Sequence, residues 1–535
     1  MQWAVLARGY FGEISSVDDV VALPLPKQAA LAAALAGLVW LTFVLANVIT
    51  NVAAWTRRWW VLRKIPAPAG GNFLLGNVLQ MLSGVPWDLT ALWAKQAGGL
   101  ARFRVLDKQC VTTDSPEALK RMFQSRFENY GKDLGWTYNE FIQILGTGLV
   151  TAGGQLWRDQ RRRMSPVFKE DILQRIVDIA FDSTERLAKK LDPIAKEGGT
   201  LDIEQEFRLL TLQVIGKAAM NLPPEECDRV FPELYLPVME ENNRRVLRPW
   251  RSWNPFLPDF WLHRSRMAEL NRYLIAHIKR RWAALQKNPT PPDEEWDILT
   301  HLLATMMKKG ERLDSAAITQ TCYELKTFLL AGHETSAAML TWSTYELAAA
   351  PELRERVAAE AREHIPGALL SGAAPASPNK NDVDNMAYGL GVLKESLRKY
   401  SVVPVVTRLV LEDDEVLGHV IPKGTYVMCV VQGVHHHHWP EPQRFKPERF
   451  LPGGEYDQFD EKIRDFMFVP FIAGPRNCLG QYLALLEARV VMGMLADRYV
   501  FSTTRKDAGE RHPVTIPVGP KHGMEVKVEF ANKGR

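Results

Sequence analysis

"AALAAALAGLVWLTFVLA", residues 29–46, is a run of apolar side chains broken only by Thr42. Extended to Ile49 it reaches the roughly 20 residues that a bilayer-spanning helix needs. A cleaved signal peptide carries an apolar region of only about 7–15 residues, and a buried soluble helix is normally shorter or shows a polar face. The run therefore predicts a transmembrane helix over 29–49, behind an N-terminal segment, 1–28. Asp18 and Asp19 precede it, whereas Arg57, Arg58, Arg63 and Lys64 follow. The positive-inside rule places everything C-terminal to the span in the cytoplasm. Acidic residues ahead of the span argue against an organellar transit peptide, and the endoplasmic reticulum is the expected membrane. "KIPAPAGG", residues 64–71, reads as a stiff proline hinge that closes a basic, proline-rich linker, 50–72.

The stretch 73–535 is long enough to bury a large core. A net charge of +4 over 535 residues is too slight to imply a nucleic-acid partner. Apolar residues recur at helical period over 171–191, 316–349, 351–364 and 483–495. β-Branched stretches are fewer, at 101–113, 402–411 and 425–431, and polar loops are expected at 286–295 and 371–382. The expected fold is mainly α with a smaller β-rich part. Cys110, Cys227, Cys322, Cys429 and Cys478 are widely spaced, with no C-x-x-C pair. That pattern excludes a zinc ribbon or a thioredoxin-like centre and suits a reducing compartment. The first four are expected to be small buried hydrophobes.

Cys478 sits differently, in "FIAGPRNCLG" at 471–480. A thiolate is a strong, electron-donating ligand for haem iron and favours O–O cleavage. It needs backbone N–H donors and a dry pocket. Gly474 and Gly480 would let the backbone turn tightly and approach the ligand. Phe471 would cover the sulfur, Arg476 would pair with a haem propionate, and the helix that follows would turn its positive end towards the anion. The decapeptide resembles the haem-binding loop of the cytochrome P-450 family of haem–thiolate monooxygenases, matching F-x-x-G-x-R-x-C-x-G throughout. The resemblance implies that Cys478 is the axial ligand of haem b and that the fold is that family's.

Other stretches resemble the same family, in its order, over roughly residues 66–529. "AGHETS" at 331–336 matches the oxygen-binding helix motif, with Ser336 in its last place. Gly332 costs about 1 kcal/mol in a helix, and a Thr335 back-bond would bend it. An opened helix would admit O₂ and water, with Glu334 and Thr335 relaying protons. "KESLRKY" and "FKPERF" supply Glu395, Arg398 and Arg449, which the resemblance casts as a buried charge network behind the cysteine loop. In "GGQLWRDQRRRMSPVF", Trp157 and Arg161 stand at i, i+4 and would face the haem edge. Arg158, Arg162 and Arg163 offer either a docking surface for a redox partner or an ordinary solvated face. Arg408 matches a position used towards a propionate, and one of His435 to His438 falls where the family often has a histidine near haem. Ala331 stands where one fatty-acid-hydroxylating branch has a glutamate bonded to haem, which implies non-covalent haem here.

The expected activity is insertion of one atom of O₂ into a lipophilic small molecule, with electrons from a separate, NADPH-dependent flavin reductase in the same membrane. Fatty acids, sterols, terpenoids and carotenoids are equally compatible. "RPWRSWNPFLPDFWLH" at 248–263, rich in Trp, Phe and Pro, is a candidate entrance facing the membrane. Two alternatives remain at this point: a haem–thiolate enzyme rearranging a hydroperoxide without O₂, and a haem sensor without turnover.

Overall fold

The computed structural model describes residues 24–168, 170–290, 297–365, 376–513 and 515–531. Asp18 and Asp19 lie outside them, as do residues 371–375 of the loop expected at 371–382. The chain divides into two compact units, Met1–Lys64 and Ile65–Arg535. The first contributes helix α1, Leu25–Leu62, which starts on Pro24-Leu25-Pro26 and exceeds the expected span at both ends. It is long and apolar enough to cross a membrane, and its apolar window is wholly exposed.

The second unit is mostly helical. Its helices include α2 (Pro86–Gln96), α3 (Asn139–Leu145), α4 (Gly154–Met164), α5 (Glu170–Glu197), α6 (Ile203–Met220), α7 (Leu236–Leu247) and α8 (Pro258–Lys287). They continue with α9 (Ile298–Lys308), α10 (Ser315–Ala349), α11 (Pro351–His364), α12 (Ala387–Tyr400) and α13 (Gln481–Arg498). Local chemistry sets several boundaries. Asp314 accepts the Ala317 N–H and caps α10, while Asn221, left-handed at φ 51°, ends α6. The long α10 runs through the interior against α6, α12 and α13. At its C-terminal half Trp342 is fully buried. It stacks on Tyr400 at 4.1 Å and donates Nε1–H to the Val518 carbonyl at 2.8 Å.

The β part is a five-stranded sheet and two smaller ones. In the large sheet β1 (Leu100–Val105), β2 (Lys108–Thr113), β8 (Tyr426–Cys429), β5 (Val406–Val410) and β3 (Tyr130–Gly131) are neighbours in that order. Only β2 and β8 run parallel. A second sheet joins β4 (Thr200–Asp202) to β10 (Glu525–Phe530) and β9 (Tyr499–Thr503). The hairpin of β6 (Asp414–Val416) and β7 (His419–Ile421) turns through Leu417 and Gly418, both at positive φ, as a tight two-residue hairpin requires.

Candidate active site

The cysteine loop is shaped by one glycine. Gly474 has φ +71°, and a Cβ there would lie 2.0 Å from the Phe123 carbonyl oxygen. Backbone therefore packs on backbone where no side chain fits. Gly480 differs from expectation: its φ is −89°, and a Cβ there meets no protein atom within 4 Å. The Cys478 N–H donates to the Phe471 carbonyl at 2.8 Å and closes the loop on itself. The Phe471 ring is partly buried against the core around α10, α12 and α13.

Helix α13 begins at Gln481, so the sulfur sits just ahead of its positive end. Burial pushes the Cys478 thiol up, while the Gly480 N–H and the Arg161 guanidinium pull it down. Among the five cysteines, Cys478 alone has an accessible side chain. The residue is exposed, yet burial is the largest influence on its thiol. The other four are buried, and burial pushes Cys227 and Cys429 up to about 12. They are inert hydrophobes.

Helix α4 braces this loop. Arg161 donates from Nη1 to the Asn477 carbonyl at 2.8 Å and from Nη2 to Asn477 Oδ1 at 2.7 Å. The guanidinium expected on a propionate is here a fork holding the residue next to Cys478. Trp157 is buried, edge-on to Phe127, with the Arg476 guanidinium 4.2 Å from its ring centroid. Arg476 Nη1 also donates to the Ala152 carbonyl at 3.1 Å. Arg158 pairs with Glu128, Arg162 faces solvent, and Arg163 pairs with Glu311 at 3.2 Å.

Arg408 on β5 is buried and donates to the Thr407 carbonyl at 2.7 Å. It shares its surroundings with Arg476 and with Lys132, whose Nζ donates to the Tyr138 hydroxyl at 3.1 Å. Burial, then Arg408 and Arg476, push Lys132 well below the usual ammonium range. Burial and Arg408 lower Arg476 to about 10. The one carboxylate acting on Lys132 is Asp133, itself raised by burial. Three desolvated cations around one weakened acid call for an anionic partner, and the two propionates of haem fit that demand. Lys132 and Tyr138 were missed in the sequence, where "YGKDLGWTY" carries no motif.

Helix α10 stays α-helical through residues 331–336, so the expected opening is not seen. Thr335 Oγ1 donates to the Ala331 carbonyl at 2.8 Å, as expected. Gly332 has another cause: a Cβ there would lie 2.7 Å from Ile215 Cγ1 on α6. It permits a close crossing of two helices. Glu334 points into a cavity of about 180 Å³ that Glu204, Arg208 and His512 also line. Burial raises its carboxyl, Arg208 opposes, and Glu204 adds to the rise. His333 is buried and held to about 3 by burial, so it is neutral. One acid escaped the sequence reading. Glu487 on α13 is buried, and burial pushes it well above the carboxylate range. The neighbouring Ser336 hydroxyl pulls it down, yet Ser336 Oγ and Glu487 Oε1 close no hydrogen bond. A charged letter inside "LALLEARVVMGML" was the available signal.

Behind the loop, Glu395 accepts from Arg398 at 2.7 and 2.9 Å, from Arg449 Nε at 3.1 Å and from the Lys446 N–H at 3.0 Å. All three charged side chains are fully buried. Arg398 also donates to the His435 and Pro442 carbonyls, and Arg449 to the Glu441 carbonyl and the Glu455 carboxylate. Of the histidine run, His435 is the buried member, accepting the Val469 N–H on Nε2 at 3.0 Å and meeting Ser401 Oγ through Nδ1 at 2.9 Å. His436 pairs with the Lys399 carbonyl and His437 with Asp114. Side chains so dispersed hold no common metal, and no metal-binding cluster occurs among the described residues.

Comparison with known proteins agrees with this geometry. The family model described as Cytochrome P450 matches residues 66–523. The chain is 29% identical over 494 residues to cytochrome P450 4c21 of Blattella germanica, covering 88% of this chain and 94% of that one. It is 25% identical over 526 residues to human cytochrome P450 4V2, covering 91% and 93% of the two chains. It is 31% identical over 381 residues to cytochrome P450 4A12B of Mus musculus, covering 68% and 71%. A cysteine loop pinned by Gly474, a cationic interior fit for a dianion and the matched family model lead to one conclusion: this chain belongs to the cytochrome P450 family of haem–thiolate monooxygenases.

Proposed function

We propose that Cys478 is the axial thiolate of a non-covalently held haem b, and that the protein hydroxylates a lipophilic small molecule at the cytoplasmic face of the endoplasmic reticulum. The observation that carries this reading is the exposed Cys478, with the Gly480 N–H and the Arg161 guanidinium acting on its sulfur. Bound haem supplies the activation of O₂; the chain supplies everything around it. Lys132, Arg408 and Arg476 would hold the propionates, with Tyr138 orienting Lys132. Arg161 and Trp157 hold the loop and Arg476 in place. Ala331, with no nucleophile on its side chain, leaves the cofactor unbonded to this helix.

Glu334 keeps a proton more readily than an exposed carboxyl does and lines a cavity of about 180 Å³. The Thr335 hydroxyl, anchored on the Ala331 carbonyl, keeps its lone pairs free to accept the next hydrogen bond. Together they move protons inward while apolar side chains exclude bulk water. This pair favours O₂-dependent turnover over hydroperoxide rearrangement or sensing.

Helix α1 serves as the anchor. Electrons come from a separate NADPH-dependent flavin reductase, and the exposed Arg162 beside Arg158 and Arg163 gives an acidic partner a docking face. Trp253, Phe256 and Trp261 at 248–263 are exposed, which suits an entrance lying on a lipid surface. The test is spectral and enzymatic. The reduced protein under carbon monoxide should show the red-shifted Soret band of a thiolate ligand, and Cys478→Ser should abolish it. With reductase, NADPH and a substrate identified by spectral titration, O₂ and NADPH should be consumed in step. A normal Soret band without any NADPH consumption across lipophilic substrates would favour the sensor reading.

A further inference from the structure

Between α4, α9 and the N-terminal half of α10 lies a cavity of about 220 Å³, several times the ~30 Å³ share of one water in the liquid. Leu156, Met164, Leu302 and Met306 give it apolar walls. Two buried polar side chains line it. Gln160 is 5% exposed; its Nε2 donates to the Thr147 carbonyl at 2.7 Å, and its Oε1 has no partner. Glu324, also buried, takes the Leu149 N–H at 3.0 Å and the Gln320 amide at 2.7 Å, one on each oxygen. Each oxygen retains a second lone pair.

The charges around the rim decide which donor. Asp159 and Glu311 are negative, Arg163 and Lys309 positive, and Arg163 is already paired with Glu311. With Glu324 ionised the lining carries one net negative charge, against apolar walls. We propose that this cavity is a binding site for a small hydrophobic amine, its ammonium held at the Glu324 carboxylate and its apolar body against Leu302 and Met306. The site is separate from the cysteine loop, and its lining shares α4 with Trp157 and Arg161 and α10 with Glu334 and Thr335. An occupant would therefore act as an effector.

Burial raises Glu324 to about 7, with the Leu149 N–H and Gln320 opposing the rise. An ammonium favours the ionised carboxylate. Affinity should accordingly increase about tenfold from pH 6 to pH 8, as the ionised fraction climbs through a midpoint near 7. The other charged side chains lining the cavity are Asp159, Arg163, Lys309 and Glu311.

The probe is 2-phenylethylamine, titrated by calorimetry into the full-length, haem-loaded ferrous protein saturated with carbon monoxide, so that iron is closed to the amine. n-Propylbenzene serves as the neutral isostere. One site is expected, with the amine at least tenfold tighter than the hydrocarbon. Glu324→Gln should weaken it tenfold or more and remove the pH dependence. Met306→Trp should fill the cavity and abolish binding while leaving the carbon monoxide spectrum intact, which shows that haem is still held. No heat of binding, or equal binding by the Met306→Trp and Glu324→Gln variants, overturns the proposal. So does an amine response seen only as a haem spectral change in the absence of carbon monoxide.

Discussion

Gly474→Ala tests the geometry of the cysteine loop. The new Cβ would stand 2.0 Å from the Phe123 oxygen and 2.8 Å from its carbon, whereas carbon and carbonyl oxygen normally approach to about 3.3 Å. Either the loop or the Phe123 backbone must shift by about 1 Å. A side chain at positive φ costs about 1–2 kcal/mol, and overpacking typically adds about 1–3 kcal/mol. The loop is joined to the sulfur through the Cys478 N–H bond to Phe471, so the shift reaches the ligand itself. Gly474→Ala should lower the thiolate-type reduced carbon monoxide spectrum relative to total haem at least several-fold. Gly480→Ala, at an ordinary φ with no neighbouring protein atom, should keep it near wild type. Equal spectra for Gly474→Ala and wild type, or equal damage from both variants, would refute the reasoning.

Glu395→Gln leaves Arg398 and Arg449 buried without their shared anion and should cost about 3–5 kcal/mol, read as a lowered denaturant midpoint and loss of haem. Lys132→Met removes one of the crowded cations; haem should dissociate several-fold faster into an acceptor globin, while the haem-free protein melts no lower than wild type. Thr335→Ala should leave substrate binding unchanged yet divert NADPH consumption to peroxide, which a peroxide assay detects. His263 is held to about 4, chiefly by burial. The unfolded chain takes up its proton at a higher pH, so stability is full above about 6.5 and falls towards 4. His263→Asn should flatten that fall by about 1 kcal/mol per pH unit between 5 and 6, measured as denaturation midpoint against pH.

Features whose cause is local were legible in the sequence. The Glu395–Arg398 pair lies one helical turn apart, and the Thr335 back-bond needs only its own helix. Features whose cause is a distant neighbour were misread or missed. Gly332 looked like a weak point in α10, but its reason is Ile215 on α6. Gly480 was grouped with Gly474 by pattern, and backbone geometry separates them. Strand β4 pairs with β10, whose partners lie more than 300 positions along the chain, and no run of three residues announces such a partner. The Arg161 bond to Asn477 was not foreseen, because Asn477 is a variable letter in the loop pattern while its carbonyl and side-chain amide oxygen form a bidentate acceptor.

The cation cluster links folding to cofactor. Lys132, Arg408 and Arg476 come from the segment before α3, from β5 and from the cysteine loop, so no single element can relax to separate them. Bringing like charges together away from water opposes the compact state, and each lowers another's affinity for a proton. A dianion that binds the folded chain and not the unfolded one repays that opposition in proportion to the logarithm of its saturation. The same residues would then hold the haem and make the fold depend on it. Arg161 acts differently, through two hydrogen bonds to Asn477. It fixes the position of the sulfur by direct hydrogen bonds, and the cations fix the opposite edge of the site by charge.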